Sequence, residues 1–329
     1  MHAPFSPSRR RILSSVALAG LLPGLARAQS FPDRPLRLIV PFGPGGTVDL
    51  VGRLVGNQMG QTIGQPVVVE NRGGASGSIG STALARAAPD GYTFMVGSTT
   101  TISILPQIDP NSAYKPERDF IGLSQAAYVP HVLVVNNDVP ARNLQELVAF
   151  VRGQGKPLAM GDGGIGTPHY LASEIFRQAV GIEVLHVSYR GGGEVHADLI
   201  GGTLQAASVE LSVASPYMRS GQLRAIGIAA RKRSPAFPDL PTFIEQGIPD
   251  YEITSWFGFF APIRTPADIA RRLETEITAA LRDPEVQDKL AKAGATAVGS
   301  SARDFAEHIA REQVKWSAAI RLAGLNTGK

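Results

Sequence analysis

The chain has 329 residues, of which 43% are hydrophobic and 18% charged, and it has no cysteine. That composition excludes a disordered chain, a collagen-like repeat and a disulfide scaffold, and the length is enough for two lobes. The formal charge of +4 comes from Arg9, Arg10, Arg11 and Arg27; without them 28 basic residues face 28 acidic ones, so no surplus charge marks a nucleic-acid or anionic-membrane partner.

Residues 1–28 read as an export signal. An arginine cluster precedes an apolar run from Ile12 to Leu22, and Ala26-Arg27-Ala28 supplies small residues at both recognition positions of a cleavage site. The run is shorter than the roughly 20 residues that cross a bilayer. Cleavage after Ala28 would leave the mature protein in the periplasm, by either the general or the twin-arginine route, since Ser8-Arg9-Arg10-Arg11 suits both.

Beyond the linker Pro32 to Pro35, Leu36 to Val40 is a short apolar, β-branched run and predicts a buried strand. Phe42 to Thr47 is a glycine-rich loop, and Val48 to Ile63 carries apolar residues at helical spacing, with Thr47 or Asp49 placed to cap it. Val67 to Glu70 and Tyr92 to Val96 predict strands, with a helix from Ser78 to Ala87 between them. Val132 to Val135 and Leu158 to Met160 follow as strands around a helix from Asn143 to Val151, where Asn143 and Glu146 have capping-box spacing. A second glycine loop, Gly161 to Gly166, leads into a helix from Pro168 to Val180. A strand Val184 to Tyr189, a turn Arg190 to Gly193, a helix Glu194 to Ile200 and strands Leu223 to Ala229 and Ser255 to Ala261 complete the pattern. The remainder is helical, beginning with Thr265 as N-cap and Pro266 at N1, and Gly294 and Gly324 stop the later helices. Alternation of this kind specifies an α/β fold with a largely parallel sheet.

Each glycine loop lies at the carboxyl end of a strand and opens a helix. Glycine lets the backbone approach a ligand closely, and the helix that follows offers free N–H groups and the positive end of its dipole, so such a loop binds an anion. Thr47, Ser98, Thr99, Thr101 and Thr167 add hydroxyls without charge, which suits a carboxylate better than a nucleotide. Gly161 to Gly166 also matches G-x-G-x-x-G, but the acid a dinucleotide site needs at the end of the next strand is missing. There is no nucleotide P-loop, no nucleophile elbow and no zinc-protease motif, and without cysteine no thiolate. His131, His186 and His196 show no metal spacing and read as core or surface residues. His169, in the first turn after the second loop, is equally suited to ligand contact and to helix-start packing. Phe42 and Tyr189, at strand ends near the glycine loops, are suited equally to stacking on a ligand and to plain packing; Asp49 reads either as a helix-start acid or as an acceptor for a ligand.

Pro41-Phe42-Gly43-Pro44-Gly45-Gly46-Thr47-Val48-Asp49, Val69-Glu70-Asn71-Arg72-Gly73-Gly74-Ala75-Ser76-Gly77, Pro89-Asp90-Gly91-Tyr92-Thr93, Val187-Ser188-Tyr189-Arg190-Gly191 and Asp198-Leu199-Ile200-Gly201-Gly202 run in order along the mature chain. Together they resemble the Bug-type solute receptors of tripartite tricarboxylate transporters. The resemblance implies a type II periplasmic-binding-protein fold without chemistry or cofactor: lobe 1 from 31–127 with 250–329, lobe 2 from 128–249, closing as a monomer on a small organic carboxylate that is passed to membrane permease subunits. It implies further that the Pro41 to Thr47 loop and the Gly163 to His169 segment hold the carboxylate from opposite lobes. The expected site is therefore Phe42, Gly43, Gly45, Gly46, Thr47, Asp49, Ser98, Thr99, Thr101, Gly163, Gly166, Thr167, His169 and Tyr189. Thr101 and Gln205 depart from the family pattern. If both face the cleft, they make it roomier and less polar, which favours an aromatic or a longer dicarboxylic acid. A hydrolase or lyase on the same scaffold and a ligand sensor for a histidine kinase are the alternatives.

Overall fold

The computed structural model describes His2, residues 31–189 and residues 192–325. The export signal expected over 1–28 lies, His2 apart, outside the described residues, as do Arg190 and Gly191 of the expected turn.

Strands and helices follow one another as β1 (Leu36–Val40), α1 (Thr47–Thr62), β2 (Val67–Asn71), α2 (Ser78–Ala85), β3 (Thr93–Ser98), α3 (Leu105–Ile108), α4 (Pro116–Asp119), β4 (Phe120–Asn136), α5 (Leu144–Gln154) and β5 (Leu158–Asp162). The chain continues through α6 (Pro168–Val180), β6 (Val184–Ser188), α7 (Gly192–Ile200), β7 (Ala206–Glu210), α8 (Leu211–Arg219), β8 (Leu223–Ile228) and β9 (Thr254–Pro262). It ends with α9 (Ala267–Arg282), α10 (Pro284–Lys292), β10 (Thr296–Ala297) and α11 (Ala302–Leu322).

The strands form one sheet in the order β2-β1-β3-β9-β4-β7-β5-β6, with β8 and β10 also paired to β4. The expectation of a largely parallel sheet holds for its two flanks, where β1 pairs in parallel with β2 and β3, and β5 with β6 and β7. Between the flanks, β9 and β4 run antiparallel to their neighbours, because each returns from the other end of the molecule. β4 is much longer than the four residues expected. Phe120 to Pro130 pair with β9, and from His131 onward the same strand pairs with β7 and β8. β4 therefore changes partners between Pro130 and His131, and the two flanks meet there.

Helices cover both faces. The α1 residues Val48, Val51, Val55 and Met59 recur at helical spacing and are buried on Leu38, Val40, Phe94 and Val96. Gly52 allows that close approach, since a Cβ there would stand 2.9 Å from the Val40 side chain. A second cluster joins Val135, Leu158, Met160, Leu171, Phe176 and Phe243. The last helix serves more than one core: Phe305 packs with Met95, Trp256 and Phe260, whereas Trp316 and Ile320 enter the cluster around Phe176. Burying each such side chain stabilises the fold by about 1.5–3 kcal/mol.

Two helix starts differ from expectation. The α1 N-cap is Gly46 and has no side-chain cap, while Asp49 instead accepts from the Gly45 N–H at 3.1 Å. Helix α9 begins at Ala267 with Pro266 as its N-cap, and the Thr265 hydroxyl turns back to the Pro262 carbonyl at 2.8 Å. Asn143 caps α5, accepting from the Glu146 N–H at 2.9 Å, but the reciprocal bond of a capping box is not made: the Glu146 carboxylate accepts from the Arg142 N–H and from Asn143 Nδ2, both at 2.8 Å.

Candidate functional site

The loops after β1, β3 and β5 converge where the flanks of the sheet meet. Thr47, the first residue of α1, places its Oγ1 2.7 Å from Ser212 Oγ in the first turn of α8. Both side chains are buried. This hydrogen bond joins the first glycine loop to the far flank. Gly166 of the second loop approaches from that flank: a Cβ on it would meet Ile108 Cδ1 at 2.3 Å, and its φ of +88° is also one that L side chains rarely adopt.

The two glycine loops are not equivalent. In the first, Gly45 has φ +87°, Gly46 is extended, and an added Cβ at Gly43, Gly45 or Gly46 would meet no atom within 4 Å. No side chain caps α1, so its first N–H groups are open to an anion, reinforced by a helix of 16 residues. In the second, Thr167 is the N-cap of α6: its hydroxyl accepts from the Tyr170 N–H at 3.3 Å and donates to the Gly164 carbonyl at 2.8 Å. Pro168 then removes one further donor. The second loop offers His169 rather than a row of amides.

Several expected hydroxyl and carboxylate contacts are committed to the protein itself. Thr99 Oγ1 accepts from the Trp256 N–H at 2.8 Å and so ties the π-helical turn Thr99–Ile104 to β9, while Thr101 Oγ1 accepts from the Ser98 N–H at 3.0 Å and closes the start of that turn. Asp49 is buried and accepts from Gly45, from Arg53 Nε at 2.9 Å and from Asn71 Nδ2 at 2.9 Å. Burial would raise its pKa, but the hydrogen bonds from Arg53, Asn71 and Gly45 outweigh it and hold it below the usual carboxylate range. Asp49 is thus the buckle of the first loop. The Tyr189 hydroxyl donates to Asp198 at 2.5 Å, which together with burial pushes its pKa up to about 12, leaving only its ring to meet a ligand. Phe42 is half-buried beside Gly77 and Thr101, since a Cβ on Gly77 would touch both side chains. Gln205 lies away from these loops: its side chain accepts from the Ala159 N–H and donates to Gln154. The expectation of a roomier, less polar cleft from Thr101 and Gln205 therefore has no structural basis.

Glu210, Ser255, His131 and Ser212, which the sequence analysis does not place in the site, lie at its centre beside the expected His169. His169 Nε2 is 2.6 Å from Glu210 Oε2, Ser255 Oγ donates to Glu210 Oε1 at 3.0 Å, and His131 Nε2 is 2.8 Å from Ser255 Oγ. With Ser212, these residues link the start of α6, the end of β7 and both antiparallel strands β4 and β9. His131 is the first β4 residue to pair with β7, and its register partner is Glu210. Burial disfavours charge on all three titratable groups, yet only His131 yields to it, dropping to about 3. For Glu210, burial is outweighed by the nearby His169 and their hydrogen bond, so its pKa is lowered; for His169, burial is outweighed by Glu210, so its pKa is raised. The pairing favours an imidazolium on the half-buried His169 against the carboxylate of the buried Glu210, next to the fully buried His131, where burial disfavours charge.

His131, His169 and Glu210 bring ligand-type atoms within 4.8 Å of one another, a grouping that invites a metal. The 2.6 Å contact from His169 to Glu210 is instead a short hydrogen bond. Two donors on one ion, each 2.0–2.2 Å from it, stand about 3 Å or more apart. A second pair of acids surrounds His186, whose Nδ1 meets Asp162 at 2.8 Å and whose Nε2 meets Glu174 at 2.7 Å. Asp162 also accepts from the Gly164 N–H at 2.7 Å, so this group shapes the second loop from behind. The loop after β2 is strained as well. Ala75 and Ser76 have φ of 47° and 52°, beside Gly77 and the start of α2.

Residues 51–325 match the family model described as the tripartite tricarboxylate transporter family receptor. BugT of Bordetella pertussis is 33% identical over 310 residues, covering 94% of this chain and 95% of that protein. A solved R. palustris protein with adipate has a TM-score of 0.87 at 32% identity, covering 90% of this chain and 99% of that one. MatC from Rhodopseudomonas palustris with bound malate has a TM-score of 0.82 at 30% identity, covering 88% of this chain and 100% of that one.

Proposed function

Because this chain belongs to the receptor family of the tripartite tricarboxylate transporters, whose members are periplasmic solute-binding proteins and not enzymes, we propose that its ligand is a small dicarboxylate, held where the flanks of the sheet meet. One carboxylate sits on the open N–H groups at Gly46, Thr47 and Val48, and His169 meets an acidic group from the other side. The uncapped start of α1, lying one hydrogen bond from α8, is the observation that carries this reading. Two structural relatives were solved with dicarboxylates, adipate and malate, which favours this class over the aromatic acids. Among the described residues no helix is long and apolar enough to cross a membrane. Export directed by residues 1–28 and delivery to membrane permease subunits belong to the same proposal.

The test is a thermal-shift screen followed by calorimetry on protein refolded free of carried-over ligand, with adipate, malate, citrate, benzoate and glutamate. Stabilisation by adipate or malate is expected, growing as RT ln(1 + [L]/Kd). Stabilisation by benzoate alone would overturn the dicarboxylate assignment, stabilisation by glutamate alone would narrow it to an amino dicarboxylate, and no response to any acid would overturn the receptor site.

A further inference from the structure

We propose that Glu210 is the positioning residue of the site: by holding His169 Nε2 at 2.6 Å it keeps the imidazole charged and leaves Nδ1–H for the carboxylate of the ligand. This rests on the reading of the site as a carboxylate receptor and adds how its second half recognises charge. His169 Nδ1 is buried, has no hydrogen-bond partner in the protein, and lies 3.6 Å from where a Cβ on Gly163 would stand. It is therefore a donor without a partner beside the second glycine loop, and a carboxylate oxygen is the acceptor that completes it.

The chemistry depends on both ring nitrogens carrying a proton. A neutral imidazole donating Nε2–H to residue 210 would turn the bare Nδ1 lone pair toward the ligand and repel a carboxylate. Glu210 prevents that state, because its negative charge in a buried setting is compensated only while His169 is positive. The charged and titratable groups around His169 are Glu210 at the end of β7, Asp162 at the end of β5 and the neutral His131 on β4; Lys315 of α11 acts on His131, and Arg177 acts on Glu174. Asp162 adds to the effect of Glu210, and none of the others supplies the missing negative charge. Glu210 is fixed in turn by Ser255 on β9, so the donor that greets the ligand is anchored on the strands that join the two flanks.

Glu210→Gln keeps the shape and an acceptor for Nε2–H but removes the charge. Using adipate and malate as probes, its affinity should fall about ten- to a hundredfold at pH 8 and recover as pH drops toward 6, while the wild type changes far less. Calorimetry at pH 7 in buffers of different ionisation enthalpy should show a larger proton uptake on binding for Glu210→Gln than for the wild type, and Glu210→Asp should restore the wild-type pattern in part. A purely structural role would weaken binding equally at all pH values and leave proton uptake unchanged, which would overturn the proposal. So would a ring ¹⁵N spectrum of the unliganded wild type, assigned by His169→Gln, showing His169 titrating no higher than in Glu210→Gln. If neither probe binds the wild type, the receptor reading fails instead, and the ring ¹⁵N comparison still tests the pair.

Discussion

Thr47 Oγ1 and Ser212 Oγ meet at 2.7 Å although 165 positions of sequence separate them. One belongs to the loop that presents the α1 amides, the other to the first turn of α8, directly after Glu210. The contact thus ties the two flanks of the sheet together beside the site. Ser212→Ala removes it without enlarging the side chain. A net hydrogen-bond contribution of about 1 kcal/mol predicts an affinity for adipate or malate about fivefold weaker. Small-angle scattering should show a larger radius of gyration for the unliganded variant than for the unliganded wild type, and identical profiles with identical affinities would refute the latch.

Gly46 is extended, with φ −83°, and a Cβ there would meet nothing within 4 Å. Gly46→Val should therefore fold normally while placing a branched side chain over the open α1 amides. Far-ultraviolet circular dichroism is expected to match the wild type, and the ligand-induced rise in Tm, equivalent to about 2.7 kcal/mol at a hundred times Kd, should vanish. Undiminished stabilisation by ligand would show that the α1 amides do not hold it.

Asn71 ties the first loop twice, donating to Asp49 Oδ1 at 2.9 Å and to the Phe42 carbonyl at 3.1 Å. Asn71→Ala is expected to cost about 1–2 kcal/mol in denaturant unfolding, because Asp49 is buried and keeps only part of its partners. The same change should weaken ligand binding, since Asp49 holds the Gly45 N–H. Loss of stability with unchanged affinity would separate the buckle from the site.

Stability should decline in acid well before ordinary carboxylates titrate. His131 has an ordinary value of 6.5 and about 3 in the folded protein, because burial disfavours its charge. A group whose folded value is depressed contributes fully above its unfolded value, and that contribution is lost as pH falls through the interval, here from about 6.5 toward 3, with a slope of up to about 1.4 kcal/mol per unit. The raised His169 works on the other side: its contribution is complete below its ordinary value and is lost as pH rises through the raised one. Urea unfolding at pH 7, 6 and 5 checks this. His131→Gln, which keeps a donor for Ser255, should flatten the acid limb; an equal slope in variant and wild type would refute the assignment to His131.

Local signals were legible where one segment determines its own structure. Leu36 to Val40 and Pro168 to Val180 have the expected bounds, since an apolar run ending at Pro41 and a Thr167-Pro168 start before amphipathic spacing need no distant partner. β7 and α8 were not legible. Ala206, Ala207 and Ser208 are too small to give an alternating pattern, and Pro216 lies inside the helix that follows. β4 was recognised only at its end because Gly122, Ser124, Gln125 and Pro130 interrupt the apolar pattern of its first part. The glycine loops were evident from composition, but the residues that charge the site were not: Glu210 meets His131 and Ser255 because β7 pairs with β4 and β4 with β9, and meets His169 because β7 also pairs with β5, which leads into α6.

The central position of β9 has a consequence for how the molecule comes into being. β3 waits for a neighbour that lies more than 150 residues later, Met95 to Ser98 pairing with Phe257 to Phe260, and Phe305 and Trp316 arrive later still. Neither flank can bury its core from the amino-terminal two thirds of the chain alone. Non-local pairing of this kind predicts slow folding, with the core of each flank completed only after the carboxy-terminal strand and helix have joined it.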